Sequence, residues 1–377
     1  MKKIPFNKPF LIGKEVEYIA EAVKSGKISG NGMFTKKCHE FFEQRYGFAK
    51  VLLTTSCTDA LEMAAILTNI QPGDEVIIPS YTFVSTANAF VLRGAKIIFA
   101  DSEAQTPNLD ASALEELITP RTKAIVVVHY AGVACDMDVI MECARQHDLI
   151  VIEDAAQAID AYYKGKPLGS IGHLAAFSFH ETKNIISGEG GMLVVNDERF
   201  RDRAEIIWEK GTNRAAFFRG EINKYGWVDV GSSFLPSEVI AAFLYAQLEH
   251  LEQIQEKRVT LWNQYYDGLL SLEEQGRIQL PVLPDYATNN GHLFYIVCQN
   301  LAERQALIGC LKEHQIHAVF HYLSLHESPF YQDKHDGRKL PNTARYMDCL
   351  LRLPMYYELE NEEQEFIIEM IQKFFEE

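Results

Sequence analysis

From about residue 50 to residue 195, short apolar runs rich in β-branched residues alternate with stretches of helical periodicity. The runs are "KVLLTT", "DEVIIPS", "AKIIFAD", "KAIVVVHY", "LIVIEDA", "LAAFSF" and "GMLVVND". Between several of them lie helix-length segments such as "CTDALEMAAILTNI", "STANAFVLRG" and "DMDVIMECARQHD". Runs that are apolar on both faces and separated by such segments predict an α/β fold, with a mostly parallel sheet covered on both sides. In sheets of this kind ligands lie at the carboxyl ends of the strands, so the residues directly after each run carry the interest.

The pattern changes after residue 200. Residues 200–230, rich in Gly, Arg and aromatics, have no clear period and predict a long ordered loop. "SEVIAAFLYAQLEHLEQIQEKRVTLWNQYYDGLLSLEEQ" then reads as one long helical pattern with a break near Ile254. It links a large unit, residues 1–250, to a smaller α+β unit, residues 251–377. In the smaller unit "HLFYIVCQ" and "HAVFHY" predict strands, "RQALIGCLKEHQ" predicts a helix, and the chain ends in another helix.

Composition narrows the classes. At 377 residues the chain has room for two domains, and 47% hydrophobic with 23% charged content is ordinary for a globular protein. A net charge of −16 without a basic stripe argues against nucleic-acid binding. Seven scattered cysteines without a C-x-x-C pair argue against a disulfide framework and a zinc ribbon. They fit a reducing compartment. The start lacks a signal-peptide core, and no run approaches the roughly 18–20 apolar residues of a membrane span. The expectation is a cytoplasmic protein.

Four features fall at strand ends. "LIVIEDAAQA" ends a strand on Asp154, with Gln157 three residues later. "AFSFHETKN" places Ser178 five residues before Lys183. "TTSCTDALE" sets Ser56, Cys57 and Thr58 at the entry to a helix, and "IIPSYTFVST" brings Tyr81 and Phe83 just past a strand. Each has a plain structural explanation: a helix cap for the acid or the hydroxyls, core for the aromatics, and a solvated loop for the lysine. Those separate explanations lose force when all four features share one edge of one sheet.

Pyridoxal phosphate uses all four. Its aldehyde needs an amine to hold it as a Schiff base, which Lys183 can supply. A buried carboxylate such as Asp154 keeps its pyridine nitrogen protonated. Its phosphate suits a helix N-terminus bearing hydroxyls, here Ser56 and Thr58, with Ser178 as a further donor. Phe83 is placed to stack on the ring, and Gln157 to reach the 3-hydroxyl.

"EDAAQ", "SFHETKN" and "GEGG", in that order, resemble the sugar-nucleotide aminotransferases of the DegT/DnrJ/StrS type, a branch of the fold-type I pyridoxal-phosphate enzymes. The resemblance runs from "IPFNKP" through "SGNGMFT" and "PGDEVIIPSYTFVSTANAF" to "HYLSLH". It implies a seven-stranded-type, mostly parallel sheet in the large domain, and a homodimer with shared active sites. Carried over position by position, it makes Lys183 the Schiff-base lysine and Asp154 the partner of the pyridine nitrogen. It makes Gln157 the 3-hydroxyl contact, Ser178 and Thr58 phosphate ligands, and Phe83 the stacking aromatic. The runs "SCTDALEMAA", "VHYAGVACDMD" and "EKGTNRAAFFRG" point to the branch that passes an amino group from glutamate to C4 of a dTDP-linked 4-keto-6-deoxyhexose.

Two positions depart from the family pattern. Many members have Gly-Thr-Ala where this chain has Cys57-Thr58-Asp59, and an Asn of the neighbouring subunit where it has Leu235. Ser232 and Ser233 are candidates to take over that contact. A sugar nucleotide also carries a pyrophosphate, for which Lys210, Arg214, Arg219, His321 and His326 are the candidate ligands. Competing readings are an aminotransferase acting on C3 or on another nucleotide sugar, a sugar 3-dehydratase, a regulatory protein and a dinucleotide-binding protein. The dehydratases carry His at the lysine position, a regulator would lack Lys183 or Asp154, and no G-x-G-x-x-G follows a strand. Glu181, beside the lysine, could tune the amine, touch the sugar or face water.

Overall fold

The computed structural model describes residues 3–376. Its seven long apolar runs become seven strands of one sheet: β1 (Val51–Thr54), β2 (Glu75–Pro79), β3 (Lys96–Ala100), β4 (Thr122–Val128) and β5 (Ile150–Asp154), then, after a small hairpin of β6 (Tyr162–Tyr163) and β7 (Lys166–Pro167), β8 (Leu174–Ser178) and β9 (Gly191–Val195). The order across the sheet is β1-β9-β8-β5-β4-β2-β3. Only β9 runs against its neighbours β1 and β8, so the sheet is mostly parallel.

The pleat explains the uninterrupted apolar runs. In β3, Ile98 and Ala100 enter one hydrophobic core while Ile97 and Phe99 enter the core on the opposite face. Both faces therefore have to be apolar. One face is covered by α1 (Glu15–Lys24), α2 (Met33–Tyr46), α5 (Met137–Gln146) and α8 (Glu238–Leu248); the other by α3 (Cys57–Leu67), α4 (Val84–Val91) and α6 (Arg201–Trp208). Helix starts follow their caps: Ser56 accepts from the Asp59 N–H at the head of α3, and Asp136 from the Val139 N–H at α5.

Residues 200–230 depart from the expected loop. They hold α6 and the short α7 (Arg214–Phe218). The pattern at α6 is hidden because Ala204, Ile207 and Trp208 alone are buried, among charged neighbours. The long helical pattern is indeed interrupted, at Glu249 and His250 rather than near Ile254. The following α9 (Leu251–Glu274) packs Leu251 and Ile254 on the sheet core and, from Leu261 onward, a third core. That third core gathers β10 (Tyr295–Val297), α10 (Leu301–Glu313), β11 (Leu350–Arg352) and α12 (Asn361–Glu376), and Ile4 from the other end of the chain. Ile4 bridges to Ile316. "HAVFHY" does not form a strand; it makes a single bridge at Val319 and otherwise runs irregularly toward the site. Among the described residues no helix is long and apolar enough to cross a membrane.

Candidate active site

The carboxyl ends of β1, β2, β5 and β8 converge on a cavity of about 510 Å³. Ser56, Cys57, Thr58, Phe83, Asp154, Gln157, Ser178, Lys183 and His321 all line it. Nine of the positions singled out from the sequence thus meet in one place.

The loop between β8 and β9 is closed by backbone hydrogen bonds. The Phe179 N–H donates to the Gly190 carbonyl, Glu181 N–H to Gly188, and Ser187 N–H to Phe179. This fastens Lys183, whose own N–H donates to His180, over the strand ends. Gly188 turns the chain at φ +80°, where a side chain would be strained. Gly191 serves another purpose. It pairs with Thr54 on one side and Ser178 on the other, and a Cβ there would stand 2.3 Å from the Ser56 carbonyl carbon. The bare strand lets the head of α3 approach the sheet. Glu181 faces water.

Lys183 is partly accessible from the cavity yet enclosed by protein. Burial lowers its amine to a pKa of about 8, helped by the Arg352 charge and opposed by the Asp154 carboxylate. About a tenth of the amine is therefore neutral at pH 7, far more than for a solvated lysine. Asp154 is 5% exposed. Its Oδ2 accepts from Thr86 Oγ1 at 2.7 Å and its Oδ1 from the Ala156 N–H at 3.2 Å. Burial raises its pKa, against those bonds and the Lys183 charge. Among the described residues no cation pairs with it within 4.0 Å, so a cationic ring nitrogen fits this carboxylate.

The opposite requirement, an anion site, is met by α3. Its first-turn N–H groups lack helical acceptors, and Ser56 takes up only that of Asp59. The N–H groups of Cys57 and Thr58 stay open beside the Thr58 and Ser85 hydroxyls, which lie 2.8 Å apart. A phosphate fits there. Burial, with the Asp154 charge, raises the Cys57 thiol well above its ordinary range, so it stays neutral. Gln157 is partly committed, since its Oε1 accepts from the Ala131 N–H at 2.7 Å while its Nε2 donates to Tyr322 Oη at 3.3 Å. Phe83 is 55% exposed, its ring centroid 6.0 Å from that of Tyr322.

Four of the expected pyrophosphate ligands lie elsewhere. Lys210 and Arg214 line a second cavity of about 510 Å³ together with Lys27, Lys36, Ser233 and Leu235. Arg219 is held by Glu205 and Glu221, each at 2.7 Å, which neutralise it. His326 is buried with its Nδ1 2.7 Å from Ser80 Oγ, locking a loop to the end of β2. Ser232 is used through its carbonyl, which accepts the Lys210 N–H.

The sequence reading missed Thr86, Ser85, His292, Tyr322 and Arg352, all on the cavity wall. Thr86 and Ser85 had a faint signal: two hydroxyls opening an otherwise apolar helix. The others come from segments more than a hundred residues downstream, and only the folded chain brings them here.

A sequence profile of the DegT/DnrJ/EryC1/StrS aminotransferase family matches residues 10–372. The spore coat polysaccharide biosynthesis protein SpsC of Bacillus subtilis is 33% identical over 98% of this chain and 96% of its own. The GDP-perosamine synthase of Escherichia coli O157:H7 is 32% identical over 100% and 99%. Among solved structures, PseC of Helicobacter pylori, an aminotransferase involved in the biosynthesis of pseudoaminic acid, superposes with a TM-score of 0.91 at 25% identity over 100% of both chains.

Proposed function

The chain belongs to the DegT/DnrJ/EryC1/StrS aminotransferase family, and from that premise we propose that it passes an amino group from glutamate to the C4 ketone of dTDP-4-keto-6-deoxy-D-glucose. The product is then dTDP-4-amino-4,6-dideoxy-D-galactose, made by the transaminase of enterobacterial common antigen synthesis. As a sugar aminotransferase of this family it depends on pyridoxal phosphate. The observation that carries the reading is the pairing, in one cavity, of a buried amine of lowered pKa with a buried carboxylate that lacks a cation. The choice of sugar rests on "SCTDALEMAA", "VHYAGVACDMD" and "EKGTNRAAFFRG".

When bound, pyridoxal phosphate supplies an aldehyde that exchanges amines and a ring that withdraws electrons from the carbon bearing the nitrogen. The chain's residues do the rest. Lys183 would hold the aldehyde and, once freed, its Nζ would take the proton from the donor's Cα and deliver it to the cofactor's C4′. Asp154 would pair with the pyridine nitrogen, kept ready by Thr86 and the Ala156 N–H. Ser56, Cys57, Thr58 and Ser178 would hold the phosphate, Phe83 the ring face, and Gln157 the 3-hydroxyl. Donor and sugar use the same cavity in turn, so the kinetics are ping-pong.

We further propose a homodimer with shared sites. Phe218 on the wall of the second cavity is 69% exposed, and Tyr225 and Trp227 farther along the same segment are 51% and 82% exposed, a surface that suits a second copy. Lys210 and Arg214 would then serve the partner's cavity, where a sugar nucleotide's pyrophosphate needs cations.

The test is incubation with glutamate and a panel of 4-keto and 3-keto sugar nucleotides, with the product identified by mass and NMR. Amination at C4 of the dTDP sugar with the galacto configuration is expected. Amination only at C3, or only of a UDP or GDP sugar, replaces the substrate and leaves the reaction class in place. The GDP alternative has its own support in the perosamine synthase relative.

A further inference from the structure

The residue after Lys183 ties the lysine's loop to the C-terminal unit. Asn184 is buried, and its Nδ2 donates to Gln255 Oε1 at 2.7 Å and to the Asn290 carbonyl at 2.9 Å. Both amide hydrogens are thus spent, so the Asn184 Oδ1, 2.8 Å from His292 Nδ1, is the acceptor and Nδ1–H the donor. The His292 backbone is held as well, its N–H donating to Asn290 Oδ1 at 3.0 Å. Burial, with the Lys183, Arg258 and Arg352 charges, lowers the His292 pKa well below its ordinary range, so the ring is neutral. A neutral imidazole protonated on Nδ1 keeps a bare lone pair on Nε2. Among the described residues that Nε2 accepts no hydrogen bond, and the ring lines the cavity of Lys183. Lys183 Nζ makes none among them either.

An open acceptor and an open donor therefore share one cavity. A lysine freed from the cofactor is a long, flexible side chain, yet it has to take and deliver a proton at fixed atoms. Few groups can hold it. Facing it are Cys57 on α3, Asp154 on β5, Arg352 on β11 and His321 in the segment before β11. Asp154 is reserved for the pyridine nitrogen, Cys57 is a neutral thiol, and Arg352 has no lone pair. His321 Nδ1 already accepts from Arg352 Nη1, 2.9 Å away. Beside these groups, His292 Nε2 is the open acceptor. We propose that His292 is a positioning residue for Lys183. Its Nε2 accepts a hydrogen bond from Nζ once the cofactor has released the amine, and keeps that amine in place between its two proton transfers. This rests on the aminotransferase reading and is independent of which sugar is used. The bond is stronger to the ammonium than to the amine, so it holds the Lys183 pKa up against burial.

Two substitutions separate the two ring nitrogens. His292→Asn places an amide at the Nδ1 position, which keeps the bond to Asn184 and removes the acceptor. His292→Gln reaches the Nε2 position and keeps an acceptor there. In the full-length apoprotein, the pH dependence of Lys183 acetylation by trace acetic anhydride, mapped by mass, reports the titration of the amine. His292→Asn should lower its midpoint by about 0.5–1 pH unit, the effect of losing one hydrogen bond to the charged form, and His292→Gln should stay within about 0.3 of wild type. Unfolding would move the midpoint the other way, toward the roughly 10.4 of a solvated lysine. In the holoenzyme, the donor half-reaction is followed by cofactor absorbance in a single turnover. Its limiting rate should fall about 10-fold in His292→Asn and stay within about threefold in His292→Gln, with glutamate affinity within about threefold in both. The sugar half-reaction uses the same amine and should fall alike. An unmoved midpoint in His292→Asn, equal losses in the two variants, or a loss confined to glutamate affinity or to the sugar half would overturn the assignment. Acetylation needs neither cofactor nor sugar. A protein that takes up no pyridoxal phosphate would thus sink the aminotransferase reading, while the midpoint still judges the contact.

Discussion

Two cavities of the same size, about 510 Å³ each, sit in this chain and share almost no character. The one at the strand ends is built from buried groups whose partners are fixed: Asp154 by Thr86, Gln157 by Ala131, and Lys183 by a closed loop. The one beside α7 is built from exposed cations, Lys27, Lys36, Lys210 and Arg214, on long side chains. Burial shifts the chemistry in the first, with the amine lowered and the carboxylic acid raised, while in the second, water screens the charges. Chemistry on a small molecule needs the first kind of wall. The second kind can attract and orient a phosphate group, and needs a second surface to enclose it.

Substitutions can break that contrast, and the largest effect belongs to Lys183. Lys183→Ala should give a colourless protein whose turnover falls by about 10⁴-fold or more, as expected when a covalent anchor and proton carrier is lost. Retained colour and turnover would remove it from the centre. Next, Asp154→Asn should keep the fold and lower the donor half-reaction by roughly 10²–10³-fold, read by stopped-flow absorbance. Thr86→Val, which strips one hydrogen bond from that carboxylate, should cost about 1–2 kcal/mol in thermal stability or the equivalent in rate. Lys210→Ala combined with Arg214→Ala should leave the donor half-reaction within about threefold and raise the KM for the sugar nucleotide. Mixing that double variant with Lys183→Ala should restore activity in mixed dimers if the second cavity serves its partner. No recovery would mean that it does not.

The pH dependence of cofactor uptake sharpens the same contrast. A neutral Lys183 amine is the reactive form, and its lowered pKa puts that form in the majority above about pH 8. The rate of uptake by the apoprotein should rise with pH and level off past about 8. A solvated lysine would give a rate still rising toward pH 10.

How much of this could be read in the sequence follows from where each residue sits. Asp154, Ser178, Lys183 and the Ser56–Thr58 cap could be read because each ends a buried strand or lies within a few residues of its end, and parallel strands put such positions on one edge. Arg352, His292 and Tyr322 could not, because their place depends on how the C-terminal unit packs against the sheet. His326 was misplaced for a simple reason: a histidine five residues from His321 in an irregular stretch can point either way, and this one is spent on Ser80. "HAVFHY" carried the alternation of a strand, yet Val319 finds only a single bridge to Arg352. The chain there bends to set His321 and Tyr322 against the cavity. α6 was missed because three buried residues among charged ones leave too narrow a stripe to register as a helix.

The central claim is that Lys183 is the covalent anchor of the cofactor in the first cavity. The most direct measurement is borohydride reduction of the holoprotein followed by proteolysis and mass mapping of the fixed chromophore. The account predicts one labelled peptide, containing "SFHETKN" with the added mass on Lys183. A label on another lysine, such as Lys210 in the second cavity, or a protein that takes up no pyridoxal phosphate, would contradict it.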